Sequence, residues 1–328
     1  MVHRILIVGC GEIGSRHLQA IAGVDAVGEI EVVDPLPERL ALGQERLAEI
    51  GVTRPRAQVR WLTSLKDASR GGRLCVVATQ AAGRRQVVEE VVERLEYPAF
   101  LLEKLVTQSV DDYEALLKFC ERRGASAWVN CKTRAYPFHR AARLRFDPAV
   151  PIQFNVMGGN HGLANNGIHS VDLFVYYDRC RALTDTGTAI EPILHPSKRG
   201  ADLFDLSGTL SATSDKGSVL TITFAAGHLA PPCYLVSSDN YRFALDQWSR
   251  WAWEADAGTG WQWRPVPFEG DLAISTMSKS FVADILTRSE TELPTLQGCY
   301  PAHAYLLSTL QPHFSRLLRR ELDRCPAT

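Results

Sequence analysis

The 328-residue chain has no excess of charge of either sign: 36 lysines and arginines face 37 aspartates and glutamates, a formal net charge of -1. That balance gives no electrostatic reason to bind nucleic acid or an anionic membrane, and it favours a small soluble ligand as partner. Nowhere does the sequence approach the ~18 consecutive apolar residues of a membrane span. No extended apolar segment with a small-residue cleavage site follows Met1-Val2-His3-Arg4, so neither insertion nor export is expected. The eight cysteines (Cys10, Cys75, Cys120, Cys131, Cys180, Cys233, Cys299, Cys325) form no Cys-x-x-Cys pair and no ligand-like spacing to histidine. They read as reduced, mostly buried thiols of a cytoplasmic protein, and no residue set reads as a metal site. Internal repeats and low-complexity linkers are also absent.

What is present begins at once. Ile5-Leu6-Ile7-Val8 is a buried apolar run that breaks into Gly9-Cys10-Gly11-Glu12-Ile13-Gly14 and then into a helix. Four aliphatics in a row fit a strand covered on both faces, and the glycines let backbone N–H groups approach a pyrophosphate at a helix N-terminus. Glu31-Val32-Val33-Asp34 reads as a second strand ending in an acid, and Asp34 lies 20 positions after Gly14. There a dinucleotide-binding fold places the carboxylate that accepts from the adenosine ribose hydroxyls. The plainer alternative is a glycine-rich strand-to-helix turn without a ligand.

The length fits two domains. Over 1–130, strands at 58–62, 73–78, 99–103 and 127–130 alternate with helices at 12–24, 38–50 (closed by Gly51), 84–95 and 110–123. This pattern predicts an α/β domain, a doubly wound parallel sheet of the Rossmann type. Over 131–328 strands dominate: 152–157, 205–212, 218–225, 234–237, 242–245 and a hairpin of 251–254 with 261–264. They predict an α+β domain with a mainly antiparallel open sheet. One helix, 167–180, interrupts them after Asn165-Asn166, either of which caps it, and helices at 272–287 and 302–322 complete this domain.

Ligands of an open parallel sheet bind outside the C-terminal strand ends, where Gly9 to Gly14, Asp34, Thr79 and Glu103-Lys104 fall. Lys104 there can bond a substrate oxygen and stabilise negative charge, unless it is a solvated strand-end lysine. In the second domain His169 and Asp172 lie three apart on a helix, so the carboxylate can orient an imidazole acting as general acid and base, with Asn165 and Asn166 at the helix entrance. The alternative is an ordinary hydrogen-bonded pair beneath a sheet, with Asn166 as a cap. Trp248, Trp251, Trp253, Trp261 and Trp263 cluster around a hairpin and are assigned to packing or subunit contact rather than to sugar stacking.

With the glycine turn, Asp34, Glu103-Lys104 and Gly167-Ile168-His169-Ser170-Val171-Asp172-Leu173, the chain resembles the glucose-fructose oxidoreductase, inositol dehydrogenase and rhizopine catabolism family (Gfo/Idh/MocA) over almost its whole length. The resemblance implies an N-terminal domain that binds NAD or NADP through Gly9, Gly11, Glu12, Ile13, Gly14, Asp34, Thr79, Glu103 and Lys104. It implies Lys104, His169 and Asp172 as catalytic residues, and Lys104, Arg134, Asn165 and His169 as contacts to a carbohydrate substrate. It also implies a homo-oligomer formed through the C-terminal sheet. Asp34 favours NAD, because a carboxylate repels a 2′-phosphate, while Arg39 softens that preference. The chain departs from the family where Leu105 replaces the proline of Glu-Lys-Pro, Gln80 a proline, Arg84 a histidine and Asn165 the acid paired with the histidine; an amide binds a hydroxyl but relays no proton. Asn130-Cys131 and His161 to Asn166 also look like a branch linked to bacterial surface-sugar pathways. The expected activity is hydride transfer on a sugar, amino sugar or nucleotide sugar. Its rivals are a redox-neutral lyase or glycosidase on the same fold and a non-catalytic dinucleotide-binding sensor.

Overall fold

The structure, a computed structural model, describes residues 2–49, 57–246, 248–270 and 273–328. Two units form: one of Met1–Thr107, Asp111–Asn130 and Asp271–Gly298, the other of Gln108–Val110, Cys131–Gly270 and Cys299–Thr328.

The first unit carries six parallel strands, β1 (His3–Val8), β2 (Val27–Val33), β3 (Gln58–Leu62), β4 (Leu74–Val77), β5 (Ala99–Leu102) and β6 (Ser126–Val129). Their spatial order, 3-2-1-4-5-6, is the doubly wound one, with its switch point between β1 and β4. β4 and β5 are buried at every residue, as strands with helices on both faces must be. The connecting helices are α1 (Glu12–Ile21), α2 (Pro37–Glu49), α3 (Arg84–Glu90) and α4 (Val110–Arg123). α4 starts with Asp111 and Asp112 and ends with Arg122 and Arg123, which complements its dipole at both ends. The helix expected over 84–95 is α3 followed by a π-helical turn, Val91–Leu95. Ile50 and Gly51, expected to close α2, lie outside the described residues.

In the second unit the chain runs through α5 (Pro137–Arg145), β7 (Gln153–Gly158), α6 (Leu163–Asp178), and the short strands β8 (Leu183–Asp185), β9 (Ala189–Ile190), β10 (His195–Pro196) and β11 (Phe204–Asp205). It continues into β12 (Gly208–Ser214), β13 (Val219–Phe224), β14 (Cys233–Ser237), β15 (Tyr241–Asp246), β16 (Trp251–Asp256) and β17 (Arg264–Pro267). A nine-stranded sheet runs 17-16-15-14-7-13-12-8, with β9 also on β12, and β7–β13 is its one parallel pair among the described residues. Inward residues such as Leu210, Ile222, Val236 and Phe243 are buried, whereas Met157 (62% exposed), Leu235, Val219 and Trp251 look out from the other face. Period-two alternation follows from this one-sided burial.

Four expectations change here. The strand expected over 205–212 breaks between β11 and β12, where Gly208 has φ 129° and a Cβ would strike Ala189. The hairpin's second strand begins at Arg264, not at 261, and pairs Trp253 with Pro265. The Asp256 carboxylate caps Thr259 N (2.9 Å) and draws 257–259 into a helical turn, so Trp261 and Trp263 fall in the loop, where the Arg242 guanidinium lies over both rings (4.9 and 4.8 Å). The helix Ile274–Arg288 (α7), grouped above with the second domain, belongs to the first unit. Its stripe of Phe281, Val282, Ile285 and Leu286 is buried, and it packs along α1, with the Ser278 hydroxyl 2.9 Å from His17 Nδ1. A return of the chain to an earlier unit leaves no mark in local periodicity. Leu272, the expected start of this helix, lies outside the described residues, and α8 (Leu296–Leu318) begins six residues before the expected 302.

His139 on α5 is fully buried among Tyr136, Phe138, Tyr177 and Phe268; its Nδ1 meets Tyr177 OH at 2.6 Å and its Nε2 has no hydrogen-bond partner. Burial pushes the imidazole down to about 3 from the usual 6.5. A folded pKa below the unfolded one means stability is complete above pH 6.5 and is lost as pH falls towards 3, because only the unfolded chain takes the proton. Stability is expected to fall by about 2 kcal/mol between pH 6.5 and 5 from this group alone. Urea unfolding of wild type and His139→Phe at both pH values checks this; an equal loss in the variant removes His139 as the cause.

Candidate active site

The turn from β1 into α1 is built by backbone conformation. Gly9 has φ 92°, and a Cβ there would lie 2.9 Å from Ala78 C and Thr79 N; one on Gly14 would fall on the Gly9 carbonyl oxygen. Gly11 caps α1 without a side-chain bond, so the first-turn amides of Glu12, Ile13 and Gly14 have no carbonyl behind them in the helix, the arrangement that receives an anion. Asp34, at the end of β2, is drawn to this turn: its Oδ2 accepts from Cys10 N (2.7 Å) and its Oδ1 from Leu36 N (3.0 Å). Each oxygen keeps a second lone pair for a hydroxyl donor. Arg39 on α2 brings its guanidinium against Gly11, where a Cβ would meet Nη1 at 2.9 Å. After β4, the Thr79 hydroxyl is buried without a hydrogen-bond partner. An orphaned hydroxyl beside an open glycine cradle is what a bound diphosphate and ribose would satisfy, so these residues fit a dinucleotide.

At the end of β5, the Glu103 carboxylate is buried (8% exposed). Its Oε1 accepts from His17 Nε2 (2.9 Å) and from Asn130 Nδ2 (2.5 Å). Burial pushes its carboxyl up, but the bond and charge of His17, then Asn130 and Lys104, outweigh it and bring the group down to about 2. Neither His17 nor Asn130 is paired with Glu103 by any local sequence pattern; the signal in the sequence is a polar residue on the covered side of α1. Lys104 itself is buried (8% exposed), which sets aside a solvated strand-end lysine.

The second constellation differs from expectation at the start of its helix. α6 begins at Leu163, so Asn165 and Asn166 lie inside it and cap nothing. The cap is the Asp205 carboxylate, whose Oδ1 accepts from Ala164 N (2.7 Å) and Leu206 N (2.8 Å), behind Gly162 at φ 83°. Burial pushes the Asp205 carboxyl up against those backbone bonds. Asn165 donates Nδ2 to Asp205 Oδ2 (2.6 Å) and accepts from Thr328 N at Oδ1 (3.0 Å), so both ends of the amide expected to hold substrate have protein partners. The cap lies about forty residues downstream, beyond any local pattern.

Asp172 does not orient His169. Its Oδ2 accepts from Arg134 Nε (2.8 Å), its Oδ1 from Arg134 Nη2, and the Cys299 thiol donates to Oδ1 at 3.4 Å. Burial pushes the Asp172 carboxyl up, and the Arg134 guanidinium opposes the shift. Arg134, expected at the substrate, is thus tied to Asp172 and lies 4.9 Å over the Tyr176 ring. His169 is partly exposed, one turn beyond Asn165 on the same face of α6. Cys131, Asp172 and Cys299 place their donor atoms within 4.8 Å of one another. Burial holds the Cys299 thiol well above its usual range, and Arg134 already neutralises the acid, so we assign this trio to packing around the ion pair.

No protein-family model and no curated protein sequence matches the chain. Solved structures do. An oxidoreductase from Agrobacterium radiobacter, in complex with NAD+, L-tartaric acid and magnesium, superposes with a TM-score of 0.72 at 15% identity, covering 93% of this chain and 94% of that one. UDP-N-acetylglucosamine 3-dehydrogenase from Acidithiobacillus ferrooxidans gives 0.69 at 14% identity over 95% and 96%. A 3-ketoreductase from Actinomadura kijaniata, in complex with NADP, gives 0.69 at 16% identity over 94% and 96%. At these identities the likeness shows the fold, shared over nearly the full length of each chain.

Proposed function

We propose that the chain is a nicotinamide-dinucleotide-dependent oxidoreductase that interconverts a secondary alcohol and a ketone on a sugar, amino sugar or nucleotide-linked sugar. The observation that carries this reading is the glycine cradle with its open helix amides, set beside Asp34 and the orphaned Thr79 hydroxyl, on a sheet whose next strand end holds a buried lysine. The activities of two structural neighbours, a nucleotide-sugar 3-dehydrogenase and a 3-ketoreductase, support the substrate class.

Gly9, Gly11 and Gly14 with the amides of Glu12 and Ile13 would hold the diphosphate, Asp34 the adenosine ribose, and Thr79 a ribose or phosphate oxygen. The nicotinamide, when bound, supplies the hydride acceptor or donor. Lys104 stabilises the substrate oxygen as its charge changes, and His169 takes or gives the hydroxyl proton. Asp34 favours NAD, and the Arg39 guanidinium beside Gly11 keeps NADP as a substrate for the same cradle. With eight free thiols, seven of them buried, we place the protein in a reducing compartment, the cytoplasm. Met157, Leu235, Val219 and Trp251 on the open sheet face support a homo-oligomer; light scattering that gives a monomer mass at all concentrations would exclude it.

A second reading, a dinucleotide-binding sensor, is favoured by Asn165 and Asp172 being engaged with Asp205, Thr328, Arg134 and Cys299. Absorbance at the reduced-nicotinamide band, with NAD and NADP against sugars, uronic acids and nucleotide sugars, separates the two. A rise identifies the dehydrogenase and its substrate class. A flat trace despite tight dinucleotide binding supports the sensor, or a redox-neutral enzyme if a product appears by mass.

A further inference from the structure

Arg84, which opens α3, is 1% exposed, and both of its terminal guanidinium nitrogens donate to backbone carbonyls, in two different loops. Nη2 donates to Thr79 O in the loop that leaves β4; Nη1 donates to Leu105 O and, at 3.3 Å, to Val106 O in the loop that leaves β5. Both loops leave the C-terminal edge of the parallel sheet. Lys104 therefore stands between two buried anchors: Glu103 before it is held by His17 and Asn130, and Leu105 and Val106 after it are held by Arg84. The planar guanidinium fork suits this task, because its donors diverge in one plane and reach several acceptors at once. Leucine at 105 leaves φ free where a proline would restrict it, so the restraint on the loop has to come from outside. The two departures noted above, Arg84 and Leu105, are thus hydrogen-bonded to each other.

We infer that Arg84 is a positioning residue that fixes the Lys104 loop against the Thr79 loop and so sets where the Lys104 ammonium presents itself for catalysis. The inference rests on the proposed role of Lys104. It goes beyond that role in assigning Lys104's placement to a buried side chain bonded to backbone carbonyls of both loops. The arginine acts through geometry, since a displacement of about 1 Å at a reacting group lowers a rate by about 10²-fold.

The test compares wild type with Arg84→Lys and Arg84→Ala, with and without added guanidinium ion at concentrations below those that unfold the protein. A single lysine ammonium cannot span both loops, so Arg84→Lys keeps the charge and loses the clamp. Expected for both variants is a fall in kcat of about 10²-fold, a weakening of dinucleotide binding of less than about tenfold because the glycine amides and Asp34 are untouched, and partial return of kcat in Arg84→Ala on adding guanidinium. A second readout needs no turnover: the pH profile of Lys104 acylation, followed by peptide mass, shifts in both variants and returns towards wild type with guanidinium in Arg84→Ala. If wild type turns over none of the panel, the proposed function fails while the acylation profile still decides the role of Arg84. A folded variant with an unchanged Lys104 profile overturns the inference, as does a kcat loss that merely tracks loss of folded protein and does not respond to guanidinium. If Arg84→Ala does not fold, Arg84→Lys decides by the same acylation profile.

Discussion

Replacing Lys104 by methionine is expected to lower turnover by about 10³-fold while leaving dinucleotide affinity unchanged, as for loss of one charge-stabilising donor at a developing oxyanion. Methionine keeps the stem's length and apolar contacts, and a volume-conserving exchange at a site 8% exposed disturbs packing little. The elements that would hold the dinucleotide, from Gly9 to Gly14 with Asp34 and Thr79, lie on other strand ends and are not altered. Stopped-flow absorbance with the best substrate of the panel, beside fluorescence titration with the dinucleotide, separates the two quantities. Unchanged turnover would remove Lys104 from the chemistry. A joint loss of turnover and dinucleotide binding would make it a structural lysine of the β5 loop.

Arg134→Met is expected to destabilise the second unit by about 3–5 kcal/mol at pH 7, because it strands the Asp172 carboxylate in a fully buried position. Even with its partner, burial holds the Asp172 carboxyl above its usual value; without Arg134 it rises further. A folded pKa above the unfolded one favours the fold below the unfolded pKa, and that benefit is lost as pH rises through the folded pKa. The deficit of the variant is therefore greatest at neutral pH and shrinks on acidification. Adding Asp172→Asn to Arg134→Met is expected to recover much of the loss, since no charge is then left unpaired. Urea unfolding followed by tryptophan emission suits the measurement, because Trp248, Trp251, Trp253, Trp261 and Trp263 all belong to the second unit. An Arg134→Met protein of unchanged stability but raised KM would instead return Arg134 to the substrate.

Legibility in the sequence followed the range of each interaction. The strand-turn-helix of Ile5 to Gly14 and the acid at Asp34 are local signals, since backbone sterics at Gly9 and Gly14 leave few ways to leave a buried strand. The alternation of strands and helices up to Asn130 was readable for the same reason, and so was the one-sided burial of β12 to β15. The cap of α6 was not, because Asp205 reaches Ala164 from about forty residues away, and any of several polar residues near Gly162 satisfied the local rule equally well. Asp172 shows the same limit: helical spacing put it on His169's side of α6, and only the fold brought Arg134 and Cys299 close enough to take its carboxylate.

By itself, then, the sequence determined the parallel dinucleotide-type sheet, the antiparallel sheet after it, and the residue types at each strand end, because periodicity and glycine chemistry act within a turn or two of the chain. Tertiary structure alone decided that α7 returns to the first unit, that Glu103 is held by His17 and Asn130, and that Arg84 ties two loops together. Those outcomes depend on which buried donor finds which acceptor, and that pairing is settled only when distant segments pack and exclude water.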